Sequence, residues 1–389
     1  SAIPTGRVEV VFPSVETLRS GVKTVTFRAL GEDVELKLEP AGEILSEDFT
    51  IFNSKHEEKS LIDVEDLRRR IYKDIANDAA LLIDEDEQPP LIHGIIIFKL
   101  RITPYERDGM TQHGRRAHLV EELLRDEDSF LADSIVIPDF KRQTENFNGI
   151  SKEDQCIVIE FLCATESKFT EHFKSNQALT EYVILMYAGA EILIRGLDLG
   201  IKFRLTGIQA YTKVNEPAFI KENELANGSM INGNNVIRSF GDYVCKNLTS
   251  LSKKADIAML IVTRTMTQNK PSGVVNAAGL AYYGKVCDEC YKVGATVDKS
   301  SSLNTITTLA HEIAHLLGVP HDGESLPAVP GSPGAESCSP KEGYIMGTTL
   351  AHNMTKFSKC SKESAKYLLS LPRASCVYED CKPLVFKEF

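Results

Sequence analysis

Long apolar runs are missing from this 389-residue chain. None approaches the roughly 20 residues a membrane helix needs, and charged residues bound or interrupt the stretches at 94–99 and 182–194. No membrane insertion is expected. A basic excess is missing too: 44 Lys plus Arg stand against 55 Asp plus Glu, for a formal charge of −11. That balance argues against a nucleic-acid partner. The first residues, SAIPTGRVEV, lack the apolar core of a signal peptide. The chain is then cytosolic, or its signal peptide has been removed. Cysteine is absent before residue 156, which leaves the first part of the chain without a disulfide framework. With 42% hydrophobic and 25% charged residues, disordered and collagen-like chains are excluded, and the length favours two domains.

What is present is concentrated late. The nine cysteines lie at 156, 163, 245, 287, 290, 338, 360, 376 and 381. Such clustering means disulfides in an oxidising compartment or a metal cluster in a reducing one. Cys287, Cys290, Cys376 and Cys381 have the pairs a zinc ribbon would use. Glycosylation sequons at Asn227, Asn247 and Asn353 favour the oxidising alternative, and with it secretion.

Residues 1–105 read as strand-rich, through VEVVFP, KTVTFRAL, VELKLEP and GIIIFKLRITP, with one helix over about 61–75. His56, His93, His113 and His118 are scattered there and form no constellation. Residues 106–152 turn polar and acidic and read as a linker; they carry dibasic pairs at Arg115-Arg116 and Lys141-Arg142. From 153 to 389 strands alternate with helices, which predicts an α/β (α+β) domain. Helices are expected over 165–198, over NNVIRSFGDYVCKNLTSL and over 303–317; the last has Leu303, Ile306, Ala310, Ile313 and Leu317 along one face.

The chemistry sits in HEIAHLLGVPHDG, residues 311–323. His311 and His315 are four apart on the helix, so both face one way, about 6 Å apart along the axis. Two such imidazoles can reach one Zn²⁺. Glu312 stands beside them as a base without being a ligand. Gly318 ends the helix, and the chain returns His321 as a third ligand. Three histidines leave the fourth position open, the mark of a catalytic site. A chance HExxH alone has odds of roughly one in a hundred in a chain of this composition, and the further Gly, His and Asp make accident remote.

HExxHxxGxxH followed by YIMG at 344–347 resembles the metzincin metalloproteases, and the Asp after the third histidine resembles their reprolysin (adamalysin) branch. Within that branch the chain resembles the arachnid venom and salivary members. The resemblance covers 153–381. It implies a secreted zinc endopeptidase and toxin, monomeric, that cuts protein or peptide substrates. The implied catalytic domain has a five-stranded mixed sheet and an active-site helix. A β-rich propeptide domain over 1–105 and an activation linker over 106–152 would precede it. Met346 would form the methionine turn, and Asp322 would be a structural carboxylate. Gly279, Leu280 and Ala281 of GLAY would form the substrate-binding edge strand. The resemblance implies bridges Cys338–Cys360 and Cys287–Cys376, with Cys290–Cys381 as the natural third. Cys156, Cys163 and Cys245 then remain, and at least one is unpaired. It also implies a structural Ca²⁺ held by Glu160 and Asp256, with Glu379 as a further ligand.

The family's zymogens are silenced by a leader cysteine on zinc, and here the leader has none. Cys156 is poorly placed for that role. Asp126, Asp128, Asp133, Asp139 and His118 are the alternatives, with 106–152 crossing the cleft and a cut near Lys141-Arg142 releasing it. Two rival functions are a non-catalytic binding toxin of the same fold and a zinc amidase acting on small molecules.

Overall fold

The structure is a computed structural model. It describes residues 6–53, 58–59, 62–96, 99–105, 111–123, 135–136, 155–246, 250–270, 273–299, 305–324, 329–348 and 353–381. Alternation builds the leader sheet. Strand Glu32–Pro40 buries Val34, Leu36 and Leu38 and exposes the residues between them. Nine strands form this sheet, with Val8–Val11 at one edge and Ser14–Thr17 at the other. His118–Glu122 pairs between Val8–Val11 and Leu100–Pro104, so the strand-rich unit runs past residue 105 into the expected linker. The helix expected over 61–75 is shorter, Val64–Arg70, capped by the Asp63 carboxylate, which accepts the Asp66 N–H at 2.9 Å. Its continuation Ile71–Asp74 is a fully buried strand, where β-favouring Ile71 and Tyr72 join the sheet.

The second sheet carries the site. Gln155–Thr165 lies between Lys202–Ala210 and Ile257–Val262, parallel to both. Val293–Val297 follows in parallel, and Gly279–Tyr282 runs antiparallel outside it. These five strands are the mixed sheet expected. Every residue of Ile257–Val262 is buried, because the strand is covered on both faces.

Residues before Gln155 extend this sheet at both ends: the pairing of Leu45–Asn53 had no signal in the sequence, whereas a crossing by 106–152 was expected. Leu45–Asn53 pairs in parallel with Lys202–Ala210, placing Leu45 opposite Leu205 and Ile51 opposite Ile208. At the other end Ile135–Val136 pairs in parallel with the strand Gly279–Tyr282. Leu45, Phe49, Ile51 and Leu67 share one continuous core with Phe161, Phe203 and Ile208. Lys73 also reaches across to Glu191 at 3.0 Å, both side chains 6% exposed.

The helix expected over 165–198 is interrupted: Ser167–Thr170, then Asn176–Ile194 with Ser175 as N-cap. The longer piece is apolar and long enough to cross a membrane, yet it is the core helix of this unit, 83% of its most apolar window being buried. At Gly189 a Cβ would lie 2.7 Å from Ile306, so glycine lets this helix close on Ile306–Leu316, which bears the site.

Four disulfides tie the described cysteines. Cys338 joins Cys360, and Cys287 joins Cys376. The expected Cys290–Cys381 bridge is corrected: Cys290 joins Cys245, and Cys381 joins Cys156. Two close approaches explain this. Helix Gly233–Lys246 passes so near Cys290 that a Cβ on Gly241 would meet the Cys290 carbonyl at 2.7 Å. Tyr378–Asp380 pairs with the start of Gln155–Thr165, setting Cys156 opposite Glu379 and next to Cys381. All four cysteines of the alternative zinc ribbon are therefore spent. Cys163 alone is free and is buried, which pushes its thiol up to about 12 and leaves it unreactive. Each bridge contributes about 2–4 kcal/mol, mainly by restricting the unfolded chain.

Candidate metal centre

Helix Ile306–Leu316 starts later than expected, and Leu303 lies outside the described residues. It places His311 and His315 one turn apart. Gly318, at φ +81°, turns the chain back as a C-cap. Ring nitrogens of His311, His315 and His321 then all lie within 4.8 Å of one another. The other face of each ring is fixed. His311 Nδ1 meets the Ile345 carbonyl at 2.8 Å, His315 Nδ1 meets the Val319 carbonyl at 2.8 Å, and His321 Nδ1 meets Glu324 Oε1 at 2.9 Å. A carbonyl or carboxylate can only accept, so the ring proton sits on Nδ1 and Nε2 carries the lone pair. His311 Nε2 and His321 Nε2 are only 3.3 Å apart. Converging imidazoles whose Nδ1 atoms are already engaged leave Nε2 for a metal and fit a tetrahedral zinc ion.

Glu312 is fully buried on the same helix. A Cβ on Gly279 would strike its carboxylate at 2.2 Å, so only glycine lets the edge strand pass over this acid. Leu280 and Ala281 continue that strand, both buried. Past its end, Gly284 N–H donates to the His315 carbonyl at 2.8 Å, and the Tyr283 hydroxyl donates to the Gly318 carbonyl at 2.8 Å. Strand and helix are thus held in one register.

Met346 is fully buried in the turn whose neighbour Ile345 holds His311. Asp322, 2% exposed, donates its N–H to the Met346 carbonyl at 2.9 Å and accepts from Ser358 Oγ. Ser358 caps helix Lys359–Ser370. Asp322 therefore ties the third-histidine loop to the segment at Met346 and to the last helix. Burial pushes its carboxyl above the usual range.

The residues proposed for calcium lie together around a cation already in the chain. Arg204 makes paired contacts with Glu379 at 2.7 and 2.8 Å and one with Glu160 at 3.2 Å. Asp256 accepts the Glu160 N–H at 2.8 Å, and burial pushes its carboxyl up to about 7. Sequence reasoning did not find Arg204; nothing in its spacing marks it. It also missed Glu324, whose only signal is a carboxylate three residues after His321.

The latency candidates fare differently. His118 is buried in the leader sheet, where Nε2 accepts the Ile92 N–H at 2.9 Å and Nδ1 donates to the Arg116 carbonyl at 3.0 Å. It cannot also fill the metal position. Cys156 is in a disulfide. Asp126, Asp128, Asp133, Asp139, Lys141 and Arg142 lie outside the described residues, as does Asn247. Asn227 is exposed in a turn, and the Asn353 amide donates to the Glu342 carbonyl at 3.1 Å.

An HExxH helix and a returning third histidine, with a strand passing over a buried glutamate, define the class: a zinc metalloendopeptidase. Residues 156–358 match the reprolysin-type profile described as Metallo-peptidase family M12, and the chain belongs to that family. It is similar to the venom metalloproteinase antarease TserMP_A of Tityus serrulatus, 46% identical over 98% of this chain and 96% of that one. It is also similar to a metalloproteinase of Tityus obscurus, 49% identical over 92% of this chain and 95% of that one. The venom metalloproteinase BumaMPs1 of Olivierus martensii is 36% identical over 98% and 95%.

Proposed function

We propose that the chain is the latent form of a secreted, venom-type zinc endopeptidase. Its catalytic domain spans 153–389, preceded by the strand-rich leader expected over 1–105, which the sheet extends through Glu122, and by an activation linker over the rest of 106–152. His311, His315 and His321 hold the zinc. When bound, the metal supplies a Lewis acid that polarises the scissile carbonyl and makes water a better nucleophile. Glu312 takes the proton of the attacking water and hands it to the leaving amine. The substrate backbone adds a strand along Gly279–Tyr282, which brings its carbonyl over Glu312. The observation that carries this reading is the convergence of three imidazoles beside a buried carboxylate that touches the edge strand.

Latency follows from the same edge. Pairing of Ile135–Val136 with residues 281–282 supports a linker that occupies the substrate's place. Cutting near Lys141-Arg142 would release it. Secretion is supported by the four disulfides and by the venom relatives. Asn227, Asn247 and Asn353 are its glycan acceptors. Calcium is not carried forward, because Arg204 supplies the positive charge that Glu160 and Glu379 need. A non-catalytic toxin would have no need to retain Glu312, and a small-molecule amidase would have no need of an edge strand.

The test is digestion of casein by the full chain before and after limited proteolysis of its leader. Activity should appear on cleavage, vanish with a chelator and return with zinc. Activity that survives metal removal, or an intact chain as active as the cut one, contradicts the reading.

A further inference from the structure

The three histidines are not held alike. His311 and His315 each lean on a backbone carbonyl, fixed by the fold around the methionine turn and the helix end. At His321 the ring contact comes from a side chain. Its Nδ1 faces a side chain, the Glu324 carboxylate, at 2.9 Å. We propose that Glu324 is the positioning residue for the third zinc ligand; this rests on reading the three histidines as the zinc site.

The geometry is a closed clamp. Glu324 Oε1 takes the ring N–H of His321 while Oε2 lies 3.3 Å from its backbone nitrogen and accepts that N–H as well. In return the Glu324 N–H donates to the His321 carbonyl at 3.1 Å. One residue thus meets the histidine at three points. The backbone of Glu324 is itself anchored. Its carbonyl accepts the Ala335 N–H at 3.2 Å, and the preceding Gly323 N–H donates to the Ala335 carbonyl at 2.9 Å. Gly323, at φ +88°, makes the sharp turn between ligand and clamp. Cys338, three residues after Ala335, is bonded to Cys360 and holds that opposing segment.

The consequence is chemical as well as geometric. A carboxylate on Nδ1 fixes the tautomer that presents Nε2 to the metal and makes the imidazole a stronger donor. Because the Glu324 side chain is 45% exposed, truncating it opens no core cavity. Loss of the clamp should therefore appear in metal affinity and leave folding stability alone.

The experiment uses the full chain and measures zinc affinity by competition with a chelator, beside the thermal midpoint of the zinc-free protein. Glu324→Ala should bind zinc about 10–100-fold more weakly, with an unchanged zinc-free midpoint. Glu324→Gln keeps an acceptor oxygen and should recover most of the affinity. Wild-type affinity in Glu324→Ala overturns the proposal. So does a Gln variant no tighter than the Ala variant, or a zinc-free Ala variant that is itself destabilised. A wild-type chain that takes up no zinc overturns the metal-site reading on which the proposal stands, and is told apart by that control.

Discussion

Asp256 is the residue whose environment most directly links charge to stability. It is 6% exposed at the head of strand Ile257–Val262, and burial pushes its carboxyl up to about 7 in the folded chain. Unfolded, it would titrate near ~3.9. Between those values the native state binds more protons than the unfolded one, so the contribution of this group falls as pH rises from about 4 to about 7. Asp256→Asn retains an oxygen for the Glu160 N–H and removes the titration. Denaturant unfolding across that range should show a shallower decline in the variant than in the wild type; parallel curves would rule the group out. Residue types that must be special were legible in advance: histidines four apart, Gly318 at the turn and Glu312 beside the ligands carry their chemistry in local spacing. Arg204 and Glu324 were not legible, because each is ordinary in sequence and acquires its role from a partner that folding brings close.

At the scale of elements, the strand Leu45–Asn53 changes what the leader is. It completes the edge of the catalytic sheet by parallel pairing with Lys202–Ala210 and packs Phe49 and Ile51 into the shared core. Removing it would expose a strand edge and apolar surface together. Lys73 and Glu191 mark how tightly the two parts are joined, because both charges are buried in their ion pair. Lys73→Ala leaves Glu191 without its cation, and a loss of about 3–5 kcal/mol is expected in denaturant titration of the full chain. A change within 0.5 kcal/mol, typical of an exposed site, would show the joint to be loose. Gln155–Thr165, Lys202–Ala210 and Ile257–Val262 were readable as compact apolar runs with β-branched residues, whereas Val293–Val297, with a glycine and an alanine inside five residues, was not read as a strand. The joining of leader to sheet was not readable, since a strand carries no mark of a partner so distant in sequence. The bridge of Cys290 failed for the same reason: helix Gly233–Lys246 had to be placed before Cys245 could be seen beside it.

For the whole molecule, one sheet runs from the leader strand through the catalytic strands to the edge that Ile135–Val136 occupies. Leu45–Asn53 extends the sheet beside Lys202–Ala210, and Ile135–Val136 pairs with Gly279–Tyr282 at the other end. In the proposed mechanism, chemistry at that edge depends on zinc held by His311, His315 and His321 and on Glu312 as the proton carrier. The most direct test is to measure zinc content and casein turnover together in the activated wild type and in Glu312→Ala. The account predicts equal zinc in the two proteins and a loss of about 10²–10⁴ in turnover in the variant. Turnover near the wild-type rate with zinc in place would contradict it.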